Sequence, residues 1–108
     1  MKKRVLIKPL SVNKVWQGRR FKTKDYKEYE KEFIELLGKN KCVSGFVEIY
    51  YNIYIKNYKL SDVGNFEKPI SDIIVKAGLI DDDRFIKKIT MEKFQSDIEY
   101  IEIIIRKI

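Results

Sequence analysis

From Val43 to Ile55 the sequence alternates, and this stretch restricts the possible folds more than any other. Val47, Ile49, Tyr51, Ile53 and Ile55 share one face, while Phe46, Glu48, Tyr50, Asn52 and Tyr54 share the other. Successive side chains of a strand point to opposite faces, and β-branched and aromatic residues suit a pleated surface. The stretch therefore predicts a long β-strand. Its second face is too aromatic for water alone and calls for cover by a helix or by another subunit.

The flanking segments supply partners for that strand. Lys3 to Lys8 reads as a short first strand, and Pro9 to Phe21 as a basic loop. Thr23 to Leu37 predicts a helix whose apolar stripe is Tyr26, Tyr29, Phe33 and Leu36/Leu37, with Gly38 as its stop. Leu60 to Gly64 reads as an extended piece. Phe66 to Ala77 predicts a second helix with Asn65 as N-cap; Ile70, Ile73, Ile74 and Ala77 form its buried face. Pro69 then has to fall in the first turn. Phe85 to Lys93 and Asp97 to Lys107 read as strands, with a hairpin-like turn at Gln95 to Asp97. The order β-α-β-α-β-β gives an α+β (mixed α/β) class, with two helices on a small mixed sheet in one domain over residues 1–108.

Composition excludes several chemistries. The chain has no His and a single Cys, Cys42. Ser-His-Asp triads and the usual His-containing zinc sites are therefore absent, and Cys42 reads as structural. Any metal would be held by carboxylate oxygen, which favours Mg²⁺, Mn²⁺ or Ca²⁺. The apolar stretch near the N-terminus runs only from Val5 to Ile7, so neither a signal peptide nor a membrane span is expected, and the chain reads as cytoplasmic.

The net charge of +7 is unevenly spread. Residues 1–31 carry 11 Lys and Arg against three acids, and the remainder is nearly balanced. Such asymmetry favours a polyanionic partner, although a solvated lysine-rich surface would look the same by charge alone. The basic loop holds Asn13, Lys14, Arg19 and Arg20, with Lys22 just after it, and the four cations suit a partner of that charge. Trp16 and Phe21 lie among them, to pack on that partner or to anchor the loop.

Acidic residues gather around the second helix. Asp62 precedes it, Asp72 lies on its polar face with Asn65, Lys68 and Lys76, and Asp81, Asp82 and Asp83 follow it. Brought together, such carboxylates repel unless a cation sits between them, and a hydrated Mg²⁺ needs only one or two of them plus phosphate oxygens. Such a site can activate water for phosphodiester hydrolysis. Ordinary helix caps and turn residues would account for the same acids.

The run Asp62-Val63-Gly64-Asn65-Phe66-Glu67-Lys68, then Asp72, then Lys76-Ala77-Gly78-Leu79-Ile80-Asp81-Asp82-Asp83, resembles the signature of the RusA family of Holliday-junction resolvases. That signature reads D-x-D-N-x-x-K, a helix with an internal Asp, A-G, and an acidic doublet. Pro9, Ser11, Asn13 and Trp16 are similar to the family's opening motif, and the closing strand with Glu102 resembles its last. The resemblance implies a homodimer that binds four-way DNA junctions and nicks them with Mg²⁺, Mn²⁺ being a possible substitute. It implies Asp62, Asp83 and Lys68 as catalytic residues, and Asp62, Asp83 and Asp82 as metal ligands. Asn65 and Lys76 join the basic loop as DNA contacts.

Gly64 departs from the pattern, since the family has a second aspartate there. Glycine supplies no oxygen, so weakened metal binding and cleavage are expected. Glu67 and Asp81 are open as substitutes, and nothing in the sequence places either. Two classes of function follow: a resolving endonuclease impaired at Gly64, or a protein of the same fold that grips branched DNA without cutting. A basic structural protein is a third, weaker reading.

Overall fold

The computed structural model describes residues 1–11, 16–17, 21–22, 24–59 and 62–108, and only the backbone of 16–17 and 21–22. Strand β1 (Lys2–Val5) is followed by a short antiparallel ribbon of β2 (Trp16–Gln17) and β3 (Phe21–Lys22), which begins inside the stretch expected as loop and ends one residue past it. Helix α1 (Lys24–Leu37) leads to β4 (Val47–Ile55), and a 3-10 turn (Val63–Phe66) runs into helix α2 (Glu67–Lys76). A second 3-10 turn (Asp83–Phe85), β5 (Ile86–Gln95) and β6 (Tyr100–Lys107) complete an α+β fold. No helix among the described residues is long and apolar enough to cross a membrane.

The main sheet has the order β1-β6-β4-β5. β4 pairs parallel with β5 and antiparallel with β6. A parallel neighbour needs a crossover, and α2 provides it. The hairpin expected between the last two strands is not formed, because β4 lies between them. Turn residues signal a reversal but not which strand receives the returning chain. Here it crosses two strand spacings, roughly 10 Å, tied down where Ser96 N–H donates to Ile55 O at 2.9 Å.

β4 is central because one face of it is buried throughout. Val47, Ile49, Tyr51 and Ile53 are fully buried with Ile101, Ile103 and Ile105 of β6, against Phe33 and Leu37 of α1 and Ile70, Ile73 and Ile74 of α2. The α1 stripe differs from expectation: Leu36 is exposed, and Glu30 takes the place between Tyr26 and Phe33. Glu30 is tolerated there because Lys76 of α2 donates to its carboxylate. On the other sheet face Tyr54 stacks between Phe94 and Tyr100, at 4.8 and 4.1 Å, with the Arg4 guanidinium over Tyr100.

The expected strand over 43–55 begins only at Val47. Gly45 has φ of +82°, a left-handed conformation that breaks the extended run, and Val43 is left in an isolated bridge with Ile80. The start of α2 also differs. Asn65 is not its N-cap, and Val63 and Gly64 are not extended. Pro69 lacks the N–H that would bond the Asn65 carbonyl, so the α-helical ladder cannot reach further back. The preceding residues close a tighter turn instead, with Asn65 N–H donating to Asp62 O at 3.0 Å. Buried Phe66 pins that turn to the core. Pro69 itself falls in the first turn of α2, as expected.

Candidate active site

The site is organised by Lys68, in the first turn of α2. Its Nζ lies 2.9 Å from Asp72 Oδ1, one helical turn on, and 4.0 Å from Asp83 Oδ2. The side-chain hydrogen bond to Asp72 raises the lysine's pKa, with Asp83 and Glu67 adding to it. The ammonium therefore sits between two carboxylates. α2 itself is anchored below this point by a buried hydrogen bond, 2.9 Å, between Ser71 Oγ and Tyr51 Oη of β4.

The residues after α2 return to it. Gly78, with φ of +79°, turns the chain, and Leu79 and Ile80 are buried, leaving the three aspartates at the surface. Asp82 accepts from Arg84 N–H at 3.2 Å. The close approach of the two carboxylates lowers the pKa of Asp82 and raises that of Asp83, so the doublet shares its charge unevenly. Asp81 faces elsewhere. It accepts from Cys42 Sγ at 3.4 Å, Ser44 Oγ at 3.0 Å and Gly45 N–H at 2.8 Å. These bonds, led by that of Gly45, lower its pKa. Asp81 is a clasp between two loops, which leaves it poorly suited to replace a missing ligand. Partial desolvation and the bond to Asp81 raise the Cys42 pKa, the opposite of an activated thiol.

Asp62 is exposed at the head of the 3-10 turn, and its side chain makes no capping bond. Among the described residues no group of three or more carboxylates is gathered to hold a metal ion. The Asp82–Asp83 doublet offers hard oxygen donors of the kind that suit a hydrated Mg²⁺, which takes one or two carboxylates directly. Gly64 is also exposed. Its φ is ordinary, and a Cβ built there would meet nothing within 4 Å. The backbone does not require glycine at this position.

The family model for endodeoxyribonuclease RusA matches residues 9–106. The chain belongs to the RusA family. Its members are endodeoxyribonucleases, and no curated protein gives a match. In this RusA-family chain, the structure brings together Lys68, Asp82 and Asp83 of the residues expected from sequence, and it adds Asp72. The i, i+4 spacing of Lys68 and Asp72 carried that signal. Asp62 is not joined to the group. Asn13, Lys14, Arg19 and Arg20 lie outside the described residues, and for Lys22 only the backbone, paired with Trp16, is described. Lys76, expected on DNA, holds Glu30.

Proposed function

We propose that this chain binds four-way DNA junctions and hydrolyses their phosphodiester backbone, acting in the cytoplasm as a homodimer of single-domain chains. The observation that carries the reading is the Lys68 ammonium held between Asp72 and Asp83, at positions matching the family motif. In this reading Asp83, Asp82 and Asp62 would hold Mg²⁺, or Mn²⁺ in its place. Bound there, the metal would supply an activated water and charge neutralisation on the phosphate. Lys68 stabilises the negative charge that builds on the phosphate oxygens, an effect strengthened by its fixed position. Asp72 keeps that ammonium charged and aimed. Asn13, Lys14, Arg19, Arg20, Lys22 and Asn65 contact the DNA backbone and set the register.

Gly64 supports a second reading, in which the chain binds junctions without cutting. An aspartate there would add an oxygen donor to the segment that carries Asp62, and glycine adds none. The two readings separate in one experiment: a synthetic four-way junction is incubated in Mg²⁺ with the chain and with its Gly64→Asp variant, alongside a gel-shift control. Cutting by both supports a working nuclease. Cutting by the variant alone supports a junction-binding protein disabled at one ligand. Absence of junction binding sinks both readings. Sedimentation of the chain tests the homodimer.

A further inference from the structure

Phe46 and Phe85 stand beside the aspartate doublet, and nothing in the proposed chemistry uses them. Their rings meet edge to face, 5.4 Å between centroids at 69°, and Phe46 is 48% exposed. Each ring carries a cation: Lys87 Nζ lies 4.9 Å from the Phe46 centroid, and Arg84 Cζ lies 5.2 Å from that of Phe85. Lys87 owes its place to an irregularity in the sheet. Val47 pairs with Ile86 and Glu48 with Lys88, so Lys87 is the extra residue. Bulges of this kind re-aim a side chain and recur next to active sites. Lys107, the β6 partner of Val47, adds a third positive charge at the same end of the sheet.

We infer that Phe46 and Phe85, with Lys87 and Arg84, form a DNA contact that receives an unstacked base at the junction's branch point, next to the phosphate that a cation on Asp82 and Asp83 would bind. The inference rests on the junction reading and deepens it. Charge complementarity selects the occupant, because the cations flanking these rings suit phosphate. A base can replace the ammonium on the Phe46 ring, which releases Lys87 to the adjoining phosphate. Base–aromatic stacking tolerates any sequence, as a branch-point contact must. The Phe94–Tyr54–Tyr100 ladder offers no equivalent, because its rings already stack on one another at 4.8 and 4.1 Å.

The test uses the full chain in EDTA, a four-way junction with 2-aminopurine at the crossover, and a linear duplex of the same arms. Binding of the unaltered chain changes the 2-aminopurine fluorescence, whereas Phe46→Leu, apolar but unable to stack, does not produce the change. Phe46→Leu weakens junction binding roughly tenfold, leaves duplex binding unchanged, and keeps its thermal midpoint. Phe46→Trp restores both signals. Lys87→Met lowers the slope of log K against log salt by about one. Equal junction binding by Phe46→Leu, or an equal loss on duplex and junction, overturns the assignment while leaving the junction reading intact. A change in sedimentation of Phe46→Leu overturns it in favour of a contact between two copies of the chain. If the unaltered chain binds no junction, the functional reading falls and takes this assignment with it.

Discussion

Lys68 Nζ is 2.9 Å from Asp72 Oδ1 across one turn of α2, and that pair fixes the direction of the only lysine in contact with the aspartate doublet among the described residues. Lys68 is half exposed, so the pair contributes little to stability, about 0.3–0.5 kcal/mol for an i, i+4 ion pair. Its value lies in aim. Asp72→Asn is expected to lower junction cleavage roughly ten- to a hundredfold, in whichever form cuts, the unaltered chain or Gly64→Asp. Junction affinity and thermal midpoint stay close to unchanged. The alkaline limb of the rate profile moves to lower pH, because Asp72 raises the Lys68 pKa and its removal lets the ammonium lose its proton earlier. A unchanged limb would mean that Asp72 does not act through Lys68.

Gly64→Asp is expected to fold as well as the unaltered chain. The added side chain enters open space, the backbone there is ordinary, and losing a glycine reduces the freedom of the unfolded chain. Its unfolding midpoint in urea corresponds to a change within about 1 kcal/mol. A larger loss would show that the turn needs glycine, and any change in cleavage would then report on folding.

Much of this architecture was legible in the sequence because it rests on periodicity. The inward face of β4 and the buried isoleucines of α2 follow from spacing alone. Strand order was not legible: β5 and β6 adjoin in sequence, yet each pairs with β4. That outcome depends on which strand buries most apolar surface, a property of the whole chain. At the site, Lys68 and the doublet were legible from the motif. The role of Asp81 was not legible, since its type matches its neighbours and only the return of the 42–45 loop makes it a clasp. Glu30 sits in an apolar stripe because a cation two elements away compensates it.

The Asp81 clasp depends on pH in a defined direction. Its carboxyl is held below the ordinary value of 3.8 by the Gly45, Ser44 and Cys42 bonds. A depressed pKa stabilises the fold above the unfolded value, and that stability is lost as pH falls through the folded one. Asp81→Asn should therefore melt below the unaltered chain at pH 6, and the gap should close as pH drops beneath 3.8. A gap that stays constant down to the lowest pH would show that the charge of Asp81 contributes nothing.

Lys76 is expected to matter for stability more than for DNA. Its ammonium serves Glu30, whose side chain is almost wholly buried, while Lys76 itself is largely exposed. Lys76→Met leaves that carboxylate short of a cation and should cost about 1–2 kcal/mol, less than for a fully buried pair because solvent reaches the lysine. Urea unfolding measures the loss, and junction affinity in a gel shift stays the same. The reverse pattern would return Lys76 to the DNA surface.

The hydrogen bond between Tyr51 Oη and Ser71 Oγ should behave as one unit. Both side chains are buried, and the bond ties α2, with Lys68 and Asp72 on its outer face, to the central strand. Tyr51→Phe strands the serine hydroxyl and Ser71→Ala strands the tyrosine's, each at about 1–3 kcal/mol for an unsatisfied buried group. The double variant removes both polar groups and so should cost less than the sum of the single changes, by about 1 kcal/mol. Urea unfolding of the four proteins gives that coupling directly. Strict additivity would mean that the two hydroxyls do not depend on each other, and that α2 is held on β4 by its isoleucines alone.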